Sequence, residues 1–131
     1  FHDLSDLNIL LIEDDKDVAK ATSLLLNSWN CNVIVLQSSL EVLTFLELQP
    51  WVPDIVIADY RLPGDFDGVE AIQRIQLNFQ MAVPGVVITG ESDVSAISEI
   101  QKMGCMILRK PVRPAKLRRL IAYYGKHVGR S

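Results

Sequence analysis

Five short apolar runs, each followed by a stretch of helical periodicity, fix what this chain can become. The runs are residues 8–12, 33–36, 55–58, 86–88 and 106–108. They are too short for buried helices and carry many β-branched side chains, so they read as strands. The third is the clearest. Ile55, Val56, Ile57 and Ala58 are apolar without alternation, the pattern of a strand covered on both faces. It stops at one carboxylate, Asp59, and the turn residues Pro63 and Gly64 follow.

The intervening segments have the other period. Val18, Ala21, Leu25 and Trp29 repeat at helical spacing, with Asp15 placed as N-cap. Ser38 or Ser39 caps a helix whose expected core face is Val42, Leu43 and Leu46, and Pro50 and Pro53 close it. Asp67 caps a helix from Gly68 with Val69, Ile72 and Ile75 inward. Pro84 and Gly85 break the chain before the fourth run. Ser92 or Asp93 caps a helix carrying Val94, Ile97 and Ile100, and Gly104 is its expected C′ residue. The last helix is the most periodic, through Leu117, Leu120, Ile121, Tyr124 and Val128. Residues 129–131 are expected to fray.

Strands alternating with helices imply a parallel sheet with right-handed crossovers and helices on both faces. The fold class is therefore α/β, a (βα)5 doubly wound parallel five-stranded sheet. At 131 residues the expected strand order is 2-1-3-4-5, the flavodoxin-like arrangement. With no repeat, linker or low-complexity segment, residues 1–131 read as one domain with a core of about 7–128.

In an open parallel sheet, ligands sit beyond the carboxyl ends of the strands. Strand one delivers Glu13 and Asp14 there, strand three Asp59, strand four Thr89 and strand five Lys110. Each has an ordinary explanation taken singly: a turn acid, a helix-start acid, a strand-end hydroxyl, a surface lysine. Their convergence on neighbouring strands is what points to chemistry. Three carboxylates brought together repel, and a hard divalent cation relieves that conflict. Mg2+ takes oxygen ligands and keeps several waters, which suits Glu13, Asp14 and Asp59. A phosphoryl group on Asp59 carries its charge over three oxygens. The metal takes one, the Lys110 ammonium a second and the Thr89 hydroxyl a third. Asp59 is then a covalent nucleophile in a metal-assisted phosphate site.

With those residues laid out, residues 7–127 resemble the receiver domain of two-component response regulators. The resemblance rests on Glu13 and Asp14, on the segment from Asp59 to Gly64, on Thr89 followed by the small Gly90, and on Lys110 with Pro111. It implies that the aspartate receives its phosphoryl group from a histidine of a kinase or phosphotransfer protein. It implies that the backbone carbonyl of Arg61, two residues past Asp59, joins the Mg2+ ligands, and that the Lys110–Pro111 peptide is cis. It implies that Arg61 and Glu91 tune the lifetime of the phosphate. One departure stands out. Ile107 occupies the place, three residues before the lysine, where family members often carry a switching aromatic. The segment 108–118 and the lead-in 4–7 further resemble the C-terminal receiver domains of hybrid sensor histidine kinases.

Composition narrows the setting. The net charge is −3, which gives no signal for direct nucleic-acid binding. All 16 acids precede residue 100, and eight of the 13 Lys and Arg lie in 109–130. That asymmetry fits a solvated Lys/Arg-rich last helix or a basic binding face, and it leaves a homodimer open. Cys31 and Cys105 lack disulfide-scaffold or metal-ligand spacing, no run reaches the roughly 18 apolar residues of a membrane span, and no membrane contact by this domain is expected. A cytoplasmic setting is the expectation. The start at Phe1 suggests a piece of a longer protein or a trimmed tag. Other functions fit less well. An aspartyl-phosphate phosphatase wants a general acid where Arg61 stands, and a guanidinium does not deprotonate. A nucleotide- or flavin-binding domain wants a glycine-rich turn where Glu13, Asp14 and Asp15 stand. A receiver-like interaction domain that is never phosphorylated would not need all five site residues.

Overall fold

The computed structural model describes residues 3–80, 82–90 and 94–127. In chain order the elements are β1 (Asn8–Ile12), α1 (Lys16–Ser28), β2 (Asn32–Leu36), α2 (Ser39–Leu48), β3 (Ile55–Asp59), α3 (Gly68–Phe79), β4 (Gly85–Thr89), α4 (Val94–Lys102), β5 (Met106–Arg109) and α5 (Pro114–His127). The five strands form one parallel sheet in the expected order β2-β1-β3-β4-β5.

The period-2 alternation of the central strands splits the core in two. Leu10, Ile12, Val56, Ala58 and Val87 face Val42 and Phe45 of α2, Ile72 and Ile75 of α3, and Ile100 of α4. Ile9, Leu11, Ile55, Ile57, Val86 and Ile88 face Leu26 of α1, Leu117 and Ile121 of α5, and Leu4 and Leu7 of the lead-in. Every residue of β3 and β4 is buried, which explains why those runs are apolar without a break.

The helix ends follow their cap residues. Asp15 accepts the Asp17 and Val18 N–H groups, Ser38 that of Glu41, and Asp67 that of Glu70. At the end of α4, Gly104 has φ +76°, and the Cys105 and Gly104 amides donate to the Ile100 and Gln101 carbonyls. The expected cap at Ser92 or Asp93, and the inward Val128, lie outside the described residues.

Helix faces differ from expectation in three places. In α1 Ala19 and Leu26 are buried and the expected Leu25 and Trp29 pack half-buried against the core, while Val18 is 44% exposed and Ala21 is exposed. The half-buried Thr22 and Ser23 fall between Ala19 and Leu26 at helical spacing, and counting apolar residues alone passes over them. In α2, Phe45 rather than Leu43 completes the stripe from Val42, because a helix with leucines on every side has no apolar direction to read. In α4, Val94 is 79% exposed, while Ile100 packs in the core and the small Ala96 is buried beside the cleft. The inward residues expected in α3 (Val69, Ile72, Ile75) are all buried.

Candidate active site at the carboxyl edge of the sheet

Strand register decides which side chains meet. Asp59 pairs with Ile88, so Thr89 lies one residue beyond it on β4, and Thr89 pairs with Arg109, so Lys110 lies one beyond that. On the other flank Ile12 pairs with Ala58, which leaves Glu13 and Asp14 next to Asp59. The five residues expected to converge do so.

The acidic triplet after β1 divides its work. The Glu13 amide donates to the Leu36 carbonyl, extending the β1–β2 ladder by one residue and fixing the start of the turn. The Glu13 side chain is buried and accepts the Asp15 N–H at 3.2 Å. Asp14 is exposed and lines the cleft, while Asp15 turns away to cap α1. One carboxylate oxygen from each of Glu13, Asp14 and Asp59 lies within 4.8 Å of the others. Such an oxygen-only set of acids suits a hard divalent cation.

Asp59 is only 7% exposed. Its Oδ1 accepts the Arg61 N–H at 3.3 Å and its Oδ2 accepts Lys110 Nζ at 3.0 Å. Thr89 is buried at the tip of β4, and its carbonyl accepts the Lys110 amide at 3.0 Å. A Cβ on Gly90 would stand 3.3 Å from the Lys110 stem, so the small residue after Thr89 gives the lysine its path to Asp59. Lys110–Pro111 is cis. Asp14, Asp59, Arg61, Thr89, Gly90 and Lys110 line an open cleft of about 330 Å³. Tyr60 borders it too, which the sequence showed only as the neighbour of Asp59. Glu91 lies outside the described residues.

The electrostatics match this crowding. Burial, assisted by the neighbouring Asp59 charge, pushes the Glu13 carboxyl up to about 7, and the Asp15 N–H holds it back in part. The hydrogen bond to Asp59, with the charges of Asp59, Glu13 and Asp14 behind it, pushes the Lys110 ammonium above its ordinary range. Lys110 is thus held cationic against an acid cluster whose most buried member resists ionising.

Comparison with known proteins agrees with this geometry. Residues 9–122 match the family model described as the response regulator receiver domain. The transcriptional regulatory protein FixJ of Rhizobium meliloti (strain 1021) is 26% identical over 127 residues, 95% of this chain. The chain spans 60% of FixJ's length. The signal receiver domain of a modulated diguanylate cyclase from Desulfovibrio desulfuricans G20 is 27% identical, with a TM-score of 0.76 over 94% of this chain and 98% of that one. The receiver domain of the sensor histidine kinase PA1611 from Pseudomonas aeruginosa PAO1, solved with a magnesium ion coordinated in its active-site cleft, is 24% identical. Its TM-score is 0.77 over 92% of this chain and 98% of that one.

The parallel five-stranded sheet and the family match agree on the class of protein. The chain belongs to the response regulator receiver-domain family, and its place is in two-component signal transduction. Among the described residues, no helix is long and apolar enough to cross a membrane.

Proposed function

We propose that Asp59 takes a phosphoryl group from a phosphohistidine of a histidine kinase or phosphotransfer protein. The observation that carries this is the Lys110 ammonium 3.0 Å from Asp59 Oδ2, beside three acids whose oxygens lie within 4.8 Å. In the transfer a P–O bond to the Asp59 carboxylate forms as the P–N bond to the imidazole breaks, and the nitrogen leaves with the electron pair. We assign Lys110 and Thr89 to two of the transferred group's oxygens, which leaves little covalent work to the protein. Glu13, Asp14, Asp59 and the Arg61 backbone carbonyl are the ligands we assign to Mg2+, which when bound supplies positive charge for a phosphoryl oxygen and for the acids. The buried, unpaired Cys31 and Cys105 suit a cytoplasmic location. The segment 108–118 supports an origin as the receiver unit of a hybrid sensor histidine kinase.

The test is incubation with acetyl phosphate or phosphoramidate and Mg2+, followed by intact mass. The wild type should gain one phosphoryl group and Asp59→Asn none. A wild type that stays unmodified would leave a receiver-like interaction domain that is never phosphorylated.

A further inference from the structure

The loop between β3 and α3 carries Arg61, whose amide holds one oxygen of Asp59. Its ends are tied to the sheet and to α3. The Tyr60 amide donates to the Ile88 carbonyl at 2.9 Å, and the Tyr60 carbonyl accepts the Gly68 amide at 2.9 Å. Between those ends the chain makes a bulging excursion, and what holds its middle is a residue from a different element, Ser39 at the start of α2.

Ser39 is the first residue of α2, where a helix has N–H groups without intrahelical partners. Its own amide donates outward to the Pro63 carbonyl at 3.0 Å. Its hydroxyl accepts the Asp65 amide at 2.8 Å. The two bonds straddle Gly64, whose φ is +109° and whose Cβ, if it had one, would collide with Ser39 Oγ. Ser39 is 3% exposed, so its side of the contact is shielded from water, while Asp65 on the other side is exposed. The helix start that presents it is itself rigid. Ser38 accepts the Glu41 amide, and the Glu41 carboxylate reaches back to the Gln37 amide at 3.0 Å. On the far side, Phe66 is buried in the core under the Arg74 guanidinium, 4.4 Å from its ring centre, and Arg74 is in turn held by Glu70.

From this we infer that Ser39 is a positioning residue for the phosphoacceptor: it clamps residues 63–65 so that Arg61 stays against Asp59. The inference deepens the reading of Asp59 as phosphoacceptor and rests on it for its functional meaning. Its physical content does not depend on any bound ion. With the clamp in place the loop has one shape, and the Arg61 amide keeps Asp59 Oδ1 oriented while Lys110 keeps Oδ2. With the hydroxyl gone, the exposed Asp65 amide can turn to water, so the fold loses little, but the loop is free to lift from α2 and carry Arg61 with it.

The experiment uses Ser39→Ala and, from the other side of the contact, Gly64→Ala. Amide hydrogen exchange is followed by NMR in magnesium-free protein, beside urea unfolding. In both variants the Arg61 and Asp65 amides should exchange about tenfold faster or more while the β3 amides keep their protection, a local opening rather than a global one. In Ser39→Ala the initial rate of acetyl phosphate labelling should fall severalfold at a urea midpoint close to wild type. If Asp65 exchange rises in Ser39→Ala while Arg61 protection is unchanged, Ser39 is a structural tie only and the inference is overturned. The same holds if the labelling rate falls only in step with the urea midpoint. If the wild type itself is not labelled, the reading of Asp59 fails, and the exchange of Arg61 still decides whether Ser39 orients that edge.

Discussion

Lys110 Nζ lies 3.0 Å from Asp59 Oδ2, joining the tips of β5 and β3 across the intervening β4. The lysine side chain is 43% exposed and the Asp59 side chain 10%, so solvent screens the pair from the lysine side and its contribution is discounted toward the roughly 1 kcal/mol or less of exposed pairs. Its position has a clearer use in catalysis, since it is a fixed cation at the oxygen that must attack phosphorus. Lys110→Ala should therefore fold with a urea midpoint near wild type. It should accept phosphate from acetyl phosphate about tenfold more slowly or worse, which corresponds to ~1.4 kcal/mol of transition-state stabilisation. Intact-mass time courses beside urea melts measure both, and an unchanged labelling rate would take Lys110 out of the chemistry.

Thr89 offers a neutral hydroxyl where Lys110 offers a charge. Charge-assisted hydrogen bonds are roughly twice as strong as neutral ones. Thr89→Ala should then slow labelling by less than Lys110→Ala does. The buried site at the end of β4 would lose a hydroxyl and a methyl, so a modest drop in stability is also expected. Thr89→Val keeps the shape and separates the two effects: it should label as slowly as the alanine variant. If Thr89→Val labels like wild type, the hydroxyl has no part in the transfer.

Glu13 gives the site a pH dependence of definite sign. Its folded-state value of about 7 lies above the 4.5 of an ordinary glutamate. Between those values the folded protein binds a proton that the unfolded chain has released. Stability in EDTA should therefore fall as pH rises from about 4.5 to about 7, and this contribution should be flat above that. Mg2+ requires the carboxylate and competes with the proton, so its affinity should rise with pH up to about 7. Glu13→Gln, which cannot titrate, should remove that slope. Urea melts at pH 5, 6, 7 and 8, with EDTA and with Mg2+, read out both parts. A slope of equal size in Glu13→Gln would assign it to another group.

How much of this was legible in the chain depends on the range of the interaction. The sheet, its order and the strand-tip residues follow from local runs and the rule that parallel strands place their carboxyl ends together, so Glu13, Asp14, Asp59, Thr89 and Lys110 could be named before any coordinates. The cap residues Asp15 and Asp67 are local too. What failed was rotation about the helix axis. Thr22 and Ser23 are half-buried in α1, and Ala96 is buried in α4 where Val94 is exposed, because packing rewards fit and small size as well as apolarity. The Ser39 clamp was invisible for another reason. It joins residues 26 positions apart through one hydroxyl and one amide, and no periodicity records such a bond.

Asp14 separates metal binding from folding. Glu13 is buried and Asp59 is bonded to Lys110 and Arg61, so changing either disturbs the protein itself. Asp14 is exposed and gives an oxygen to the acidic cluster. Removing it costs the nearby α1 N-terminus a favourable acid, a few tenths of a kcal/mol to ~1 kcal/mol, and relieves repulsion from Asp59 and Glu13. The two effects oppose, so Asp14→Ala should unfold within ~1 kcal/mol of wild type in EDTA. Mg2+ should bind the wild type in the millimolar-to-submillimolar range and bind Asp14→Ala at least about tenfold more weakly, the loss of one charged ligand from a site that has few. Titration followed by NMR shifts of the Asp59 and Arg61 amides reports binding without any phosphorylation. Equal Mg2+ affinity in the two proteins would remove Asp14 from the metal site and leave the cation, if held at all, to Glu13 and Asp59.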